Sequence, residues 1–367
     1  MSELFSPYTV RDVTLRNRIV VSPMCEYSST DGFANDWHVV HLGSRAVGGA
    51  SLILTEAIAV TPEGRISPED LGIWKDEHMP ELERIARFVR SQGAEFGTQL
   101  AHAGRKGSTK RPWDGHGAVP VSEGGWIPVA PSGTPFDPTY PTPQALDEAG
   151  IAHIVAAFAD GAKRTLAIGG TVIEIHAAHG YLVHQFLSPL VNERTDRWGG
   201  SFENRTRLAR EIVRAVRAVW PERLPLLVRV SATDWAEGGW DVEQTVELAK
   251  LLREEGVDLI DASSGGAVPV RPGAIPVGPL YQTPFAERIR REARIATGAV
   301  GMITEPADAE AIVAEERADL VIIARELLRD PYWPLFAARA LGAEIAWPPQ
   351  YQRAAGDRAT MRVPANV

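Results

Sequence analysis

Two histidines three positions apart, His176 and His179, with Tyr181 two residues further on, are the side chains of this sequence whose types and spacing suit carbonyl chemistry. They follow the β-branched run Thr171 to Ile175, in which Glu174 sits among apolar neighbours, the pattern of a strand buried on both faces. Gly180 permits a sharp turn, and Leu182 to Leu187 then reads as a short helix. Two imidazoles just past a strand end can point into one space and donate two hydrogen bonds to one oxygen, which polarises a carbonyl. Tyr181, a phenol with an ordinary pKa of about 10, is protonated at neutral pH and can donate a proton. Two plainer readings compete. His176 and His179 could be core histidines, or a metal pair with His184 as third ligand. The metal reading lacks the Glu of an H-E-x-x-H helix, and the only cysteine, Cys25, is remote in sequence, so no metal site is expected.

Such groups need a scaffold that delivers them to one place. Strand patterns recur at Arg18 to Ser22, Ser51 to Ala59, Glu95 to Leu100, Thr171 to Ile175, Leu226 to Val230, Asp258 to Ala262, Ala299 to Met302 and Leu320 to Ile323, eight in all. Helical patterns separate them. Asn204 to Val219 places Leu208, Ile212, Ala215 and Val219 on one face, and Val242 to Glu255 places Val242, Val246, Ala249 and Leu252 similarly. This alternation predicts an α/β fold, a (β/α)8 TIM barrel. A doubly wound sheet is the runner-up, disfavoured because no G-x-G-x-x-G turn or G-x-x-x-x-G-K-[ST] loop is present. Phe5 to Leu15, alternating around an Arg-Asp turn, predicts an N-terminal β-hairpin that caps the bottom of the barrel. After the third strand, Ala103 to Pro143 holds eight prolines, seven glycines and two tryptophans in 41 residues, the composition of a lid over the mouth.

In such a barrel the strand C-termini carry function. The first ends in Ser22-Pro23-Met24-Cys25, the second in Thr55-Glu56-Ala57 and the third in Gln99-Leu100-Ala101-His102. Arg229 lies within an apolar run and needs an anionic partner. The seventh and eighth strands end near Gly301 and at Ala324-Arg325, the usual phosphate site of barrels, where two backbone amides and the Arg325 charge suit a phosphate monoester.

Composition bounds the rest. The 367 residues are 44% hydrophobic and 23% charged, enough apolar surface for a full core. A formal charge of -9 without any basic block argues against nucleic acid or anionic membranes as partners. Met1 to Leu4 opens without a basic segment and apolar run, and no apolar stretch approaches the ~20 residues of a membrane span, so a cytoplasmic protein is expected. The single cysteine excludes internal disulfides and cysteine-ligated clusters. The division expected is one barrel domain over residues 1–346 and a C-terminal tail over 347–367, whose polar end, Gly356 to Val367, reads as disordered.

Several motifs together carry a resemblance over nearly the whole chain. Ser22 to Cys25 with Tyr27, Gln99 to Lys106, His176 to Tyr181, Arg194 to Arg205 and Arg325 to Pro331 are similar to those of the Old Yellow Enzyme family. Cys25, the histidine pair and the tail Gln350-Tyr351-Gln352-Arg353 resemble its thermophilic-like class of ene-reductases, of NADPH dehydrogenase type. The resemblance implies an FMN-dependent enzyme reduced by NADPH or NADH. It passes a hydride from the flavin to an α,β-unsaturated carbonyl or nitro compound in ping-pong turnover. By that resemblance Ser22, Pro23, Met24, Cys25, Ala57, Gln99 and Arg229 bind the flavin, and Gly301, Ala324 and Arg325 hold its phosphate. His176 and His179 would bind the substrate oxygen, Tyr181 would donate the proton and Tyr27 would line the pocket. Arg353 would enter a neighbouring subunit's site, which implies a homodimer or a homotetramer built from dimers. The family usually has Gly where this chain has Ala324; a backbone amide survives that change unless the position needs positive φ. The competing functions are a phosphate-binding barrel isomerase or lyase using His176 as base, and a flavin-binding protein without turnover. A dienoyl-CoA reductase type with an iron-sulfur cluster is excluded by one cysteine and 367 residues.

Overall fold

The computed structural model describes residues 2–355. The expected polar end 356–367 lies outside the described residues. In chain order the strands are β1 (Tyr8–Val10), β2 (Val13–Leu15), β3 (Ile19–Val21), β4 (Leu52–Ala59), β5 (Glu95–Ala101) and β6 (Val129–Ala130). They continue with β7 (Gln144–Ala145), β8 (Val172–Ala177), β9 (Leu226–Ser231), β10 (Leu259–Ser263), β11 (Ala296–Val300) and β12 (Leu320–Ile323). Eight of these close a parallel barrel in the order β3, β4, β5, β8, β9, β10, β11, β12, with β12 pairing back to β3. The barrel is the expected one. Its strands are buried along nearly their whole length, which is why they read as apolar runs rather than as alternating ones.

The hairpin β1–β2 pairs Tyr8 with Leu15 and Val10 with Val13. Val10, Val13 and Leu15 face Leu52, Val172, Leu259 and Leu320 at the starts of the strands, so the hairpin seals the bottom of the barrel as expected. The helix Phe202–Arg217 starts two residues before its expected position because the Ser201 hydroxyl accepts from the Asn204 amide and caps it. Its inward face is Leu208, Ile212 and Val216, with Ala215 half-buried and Val219 beyond its end. The helix Val242–Glu254 is capped by Asp241 through the Gln244 amide and buries Val246, Ala249 and Leu252 as expected. No helix among the described residues is long and apolar enough to cross a membrane.

Two strand assignments need correction, and both matter for the site. β11 begins at Ala296 and ends at Val300, because Leu259 and Ile260 pair with Ala296 and Thr297 while Gly301 and Met302 turn out at φ +125° and +51°. β8 runs on to Ala177, so His176 belongs to the strand itself, in register with Arg229 of β9. A register shift between Leu54 and Ala57 of β4 brings Ala57 opposite Gln99 of β5.

Candidate active site

Backbone geometry first decides where the two imidazoles go. His176 leaves the top of β8, and the chain then passes through His179 at φ +58° and Gly180 at φ +74°. Two consecutive left-handed residues reverse the chain within one turn and fold the second ring onto the first. The ring centres lie 5.2 Å apart at 81°, and the Tyr181 ring lies 5.0 Å from His176. Glycine is required at 180, since a Cβ there would fall 1.9 Å from the Gly266 carbonyl oxygen. The turn is tied down from outside: the His179 amide donates to Ser231 Oγ (2.9 Å), and Lys106 Nζ donates to the carbonyls of His179 (2.8 Å) and Gly266 (2.6 Å). His184 faces away from this space, with Nε2 2.9 Å from Asp234 Oδ1 and Nδ1 accepting from the Gly180 amide.

Burial, and after it the charge of Arg229, push both imidazoles well below the usual histidine range, so His176 and His179 are neutral. His176 Nδ1 accepts from the Ala178 amide (3.3 Å), which places the ring proton on Nε2 and makes that atom a donor. His179 Nε2 lies 2.6 Å from Ser263 Oγ at the end of β10. Burial also raises the Tyr181 and Tyr27 hydroxyls above the usual phenol range, so both keep their protons. Tyr27, at φ +48°, meets Trp113 of the long loop edge-on at 5.9 Å. That loop folds over the mouth as a lid: Arg105 Nη2 donates to the Ala267 carbonyl (2.7 Å), and Lys106, Tyr140, Tyr27 and Tyr181 line one cavity.

The other sequence-derived residues spread below and beside this mouth. Ser22, Pro23, Met24 and Cys25 follow β3, and burial holds the Cys25 thiol above its usual range, un-ionised. The loop is fixed by Glu56, whose carboxylate accepts from the Glu26 amide (3.1 Å) and lies 3.1 Å from His38 Nε2. Arg229 has its required anion: its Nε lies 3.1 Å from Asp261 Oδ2, while Nη1 donates to Ser22 Oγ at 3.1 Å. Gln99 Nε2 donates to Glu174 Oε1 (2.7 Å).

A trough continues from Arg229 and Ser263 past Gln282 to Gly301, Ala324 and Arg325. At Gly301 a Cβ would stand 2.9 Å from Gln282 Nε2, so glycine keeps this end open. Among the described residues the amides of Gly301 and Ala324 donate to no protein acceptor, and Arg325 makes no ion pair, whereas Arg329 beside it is held by Glu326 at 2.6 Å. Ala324 has φ -104°, so the position does not need the positive φ that would demand glycine. Two free amides and one unpaired guanidinium at the end of a trough fit a phosphate monoester. Arg353 is the exception among the sequence-derived residues. It lies exposed on the 3-10 segment Pro349–Ala354 and joins none of these groups within its own chain. The tail packs on the last helix, Trp333–Ala340, and the residue before it, through Trp347 against Phe336 (6.3 Å) and Tyr351 against Tyr332 (6.0 Å).

Sequence reasoning missed Lys106, Ser231, Ser263, Gln282 and Asp261 as site residues. Serine at the last position of two successive strands, β9 and β10, was the one available signal.

Residues 3–343 match the NADH:flavin oxidoreductase / NADH oxidase family. The chain is 51% identical over 352 residues to an NADPH dehydrogenase of Geobacillus sp. (strain WCH70), covering 95% of this chain and 98% of that protein. It is 50% identical over 354 residues to an NADPH dehydrogenase of Halalkalibacterium halodurans, covering 96% and 98%. Among solved structures, morphinone reductase superposes with a TM-score of 0.76 at 26% identity, covering 95% of this chain and 92% of that one. A 2-naphthoyl-CoA reductase superposes with a TM-score of 0.83 at 25% identity, where this chain spans 93% of itself but 52% of the other.

Proposed function

This chain belongs to the NADH:flavin oxidoreductase / NADH oxidase family, a flavin enzyme with FMN as cofactor and NADPH as reductant, and from that premise we propose that it is an ene-reductase. Its oxidising substrates are then α,β-unsaturated carbonyl or nitro compounds. Bound there, FMN would supply the redox chemistry, two-electron hydride transfer between the nicotinamide and the substrate's β-carbon. The trough supports this cofactor. The Gly301 and Ala324 amides with Arg325 would hold its phosphate, and Ser22, Pro23, Met24, Cys25, Ala57, Gln99 and Arg229 would enclose its ring.

The observation that carries the proposal is the convergence of two neutral imidazoles at the barrel mouth. Neutral rings donate hydrogen bonds without giving up protons, which suits an oxygen that gains charge during the reaction rather than one that must be protonated. His176 Nε2 and the His179 ring would hold that oxygen, with Ser263 giving way or bridging. The Tyr181 hydroxyl, protonated and beside His176, would hold the proton destined for the α-carbon. Tyr27 and Trp113 would close the pocket and exclude water. The same observation argues against an isomerase or lyase using His176 as base. Its Nδ1 is occupied, and burial with Arg229 nearby makes the ring a weak proton acceptor at neutral pH.

The deciding experiment is anaerobic. NADPH should bleach the yellow protein, and cyclohexenone, maleimide or a nitroalkene should restore the colour much faster than buffer alone. Bleaching without reoxidation by any activated alkene would leave an NADPH dehydrogenase but sink the ene-reductase reading.

The exposed Arg353 supports a second part of the proposal: a homo-oligomer built from dimers in which this arginine completes the partner's substrate site. Trp347 and Tyr351 anchor the tail on the last helix and the residue before it, so Arg353 is presented outward rather than toward its own His176. Arg353→Ala and His176→Ala subunits should each be impaired. A hybrid dimer holds one intact site, so mixing and re-forming the two variants should recover up to about half of wild-type activity per hybrid, one site of two. If native mass spectrometry shows hybrids and no activity returns, Arg353 has no role across the interface.

A further inference from the structure

Beneath the mouth groups lies a closed polar layer that the reaction outlined above does not use. Glu174 of β8 and Asp261 of β10 are both fully buried, and Arg229 of β9 stands between their strands. Arg229 is opposite Asp261 on one side and His176 on the other, while Glu174 lies one step lower, opposite Gln99. The Arg229–Asp261 pair and the Gln99–Glu174 hydrogen bond leave Glu174 Oε2 and Asp261 Oδ1 buried without a hydrogen-bond partner. The groups facing these carboxyls are few. β9 contributes the Arg229 charge, β8 contributes the neutral His176, and β5 and the end of β3 contribute the dipoles of Gln99 and Ser22.

Two carboxylates and one guanidinium, all ionised, would leave a net negative charge in a fully buried layer, which is costly. The layer therefore holds a proton. Burial raises Glu174 to about 8, with the Asp261 charge adding to this and Arg229 opposing it. Burial raises Asp261 to about 6, again opposed by Arg229. The two titrate as a pair, with the last proton lost above neutral pH. In the neutral layer Asp261 is ionised against Arg229, and Glu174 is the acid.

We propose that, in alkaline solution where the oxidised enzyme's Glu174–Asp261 pair has lost its proton, this pair, linked to the FMN site through Arg229, takes one proton back from solvent when FMN is reduced and becomes negatively charged. The electrons and the hydride go to FMN alone. The extra proton comes from water and forms an O–H bond on a carboxyl of the pair, so nothing else is oxidised or reduced. Glu174 and Asp261 touch neither substrate nor reacting atoms; they keep the charge beneath the site constant. The proposal rests on the FMN site and is independent of which compound reoxidises the flavin.

The test is the midpoint potential of bound FMN against pH in the wild type and in Glu174→Gln. One additional proton per two electrons steepens the fall by about 30 mV per pH unit, the two-electron equivalent of a tenfold change. The wild type should show this extra slope above pH about 8, where the pair in the oxidised enzyme has lost its proton, and Glu174→Gln should not. Equal slopes in both proteins would overturn the proposal. Should Glu174→Gln fail to fold or retain FMN, a wild-type measurement suffices. Anaerobic reduction by one equivalent of NADPH in weakly buffered dye solution near pH about 9 delivers the flavin's hydrogen as hydride, so it should consume about one proton per FMN, that of the pair. Consumption of none overturns the proposal whatever the variants do.

Discussion

His176→Ala and His179→Ala should each slow reoxidation of the reduced enzyme by cyclohexenone about 100- to 1000-fold, equivalent to about 3–4 kcal/mol, while leaving the rate of flavin reduction by NADPH nearly unchanged. The asymmetry follows from what each half-reaction asks of the imidazoles. Charge grows on the enone oxygen only when the β-carbon accepts the hydride, and preorganised donors contribute most where charge develops in a buried space. His176 is 3% exposed and its Nδ1 is taken by the Ala178 amide, so its Nε2 donor is already oriented before substrate arrives. Both rings are neutral, so the oxidative rate should show no inflection near the ordinary imidazole pKa of about 6.5. Rapid mixing separates the half-reactions. If the alanine variants slowed only the reductive one, the oxygen-binding role would be wrong.

Arg229→Met should lower folding stability by up to about 3–5 kcal/mol at alkaline pH, because it leaves Asp261 buried with no counter-ion where that carboxyl must ionise. The loss should itself depend on pH, with a sign fixed by linkage. In the variant, Asp261 keeps burial and loses the opposing guanidinium, so its folded pKa rises further above the unfolded value of about 3.9. The folded state then binds more protons than the unfolded one between those two values, and stability falls as pH rises through that window. Urea midpoints should therefore show the variant closest to wild type at the acid end. Arg229→Met/Asp261→Asn should recover most of the loss, since removing both charges removes the unpaired one. A double variant no more stable than the single one would show that Arg229 matters through packing or Ser22 and not through this ion pair.

Much of the scaffold and part of the site were legible from residue order alone. Fully buried strands leave runs such as Leu226 to Val230, and their repetition between helical patterns specifies a closed parallel sheet because parallel strands need crossovers and apolar cover on both faces. Strand ends then gather at one mouth by topology, which is why Ser22 to Cys25, Gln99, His176 and Gly301 could be grouped without knowing a single distance. Local chemistry was equally readable where a residue has only one use, as with Gly180 in a sharp turn, whereas the Ser201 cap was not read and the helix it starts was placed two residues late.

What residue order could not supply were the lateral partners and the charge states. Asp261 as the counter-ion of Arg229, Ser263 against His179, and Lys106 across His179 and Gly266 depend on strand register and on how the loops turn at the mouth. Barrel topology makes consecutive strands neighbours, but residue order does not fix which of their side chains meet. Boundaries failed for a related reason: β8 runs through His176 because the strand continues for as long as β9 pairs with it, and that pairing is set by the neighbour rather than by β8 itself. The neutrality of His176 and His179 and the proton on Glu174 belong wholly to the tertiary structure. Each follows from removal of water and from the distance to the Arg229 charge, and neither quantity exists in an extended chain.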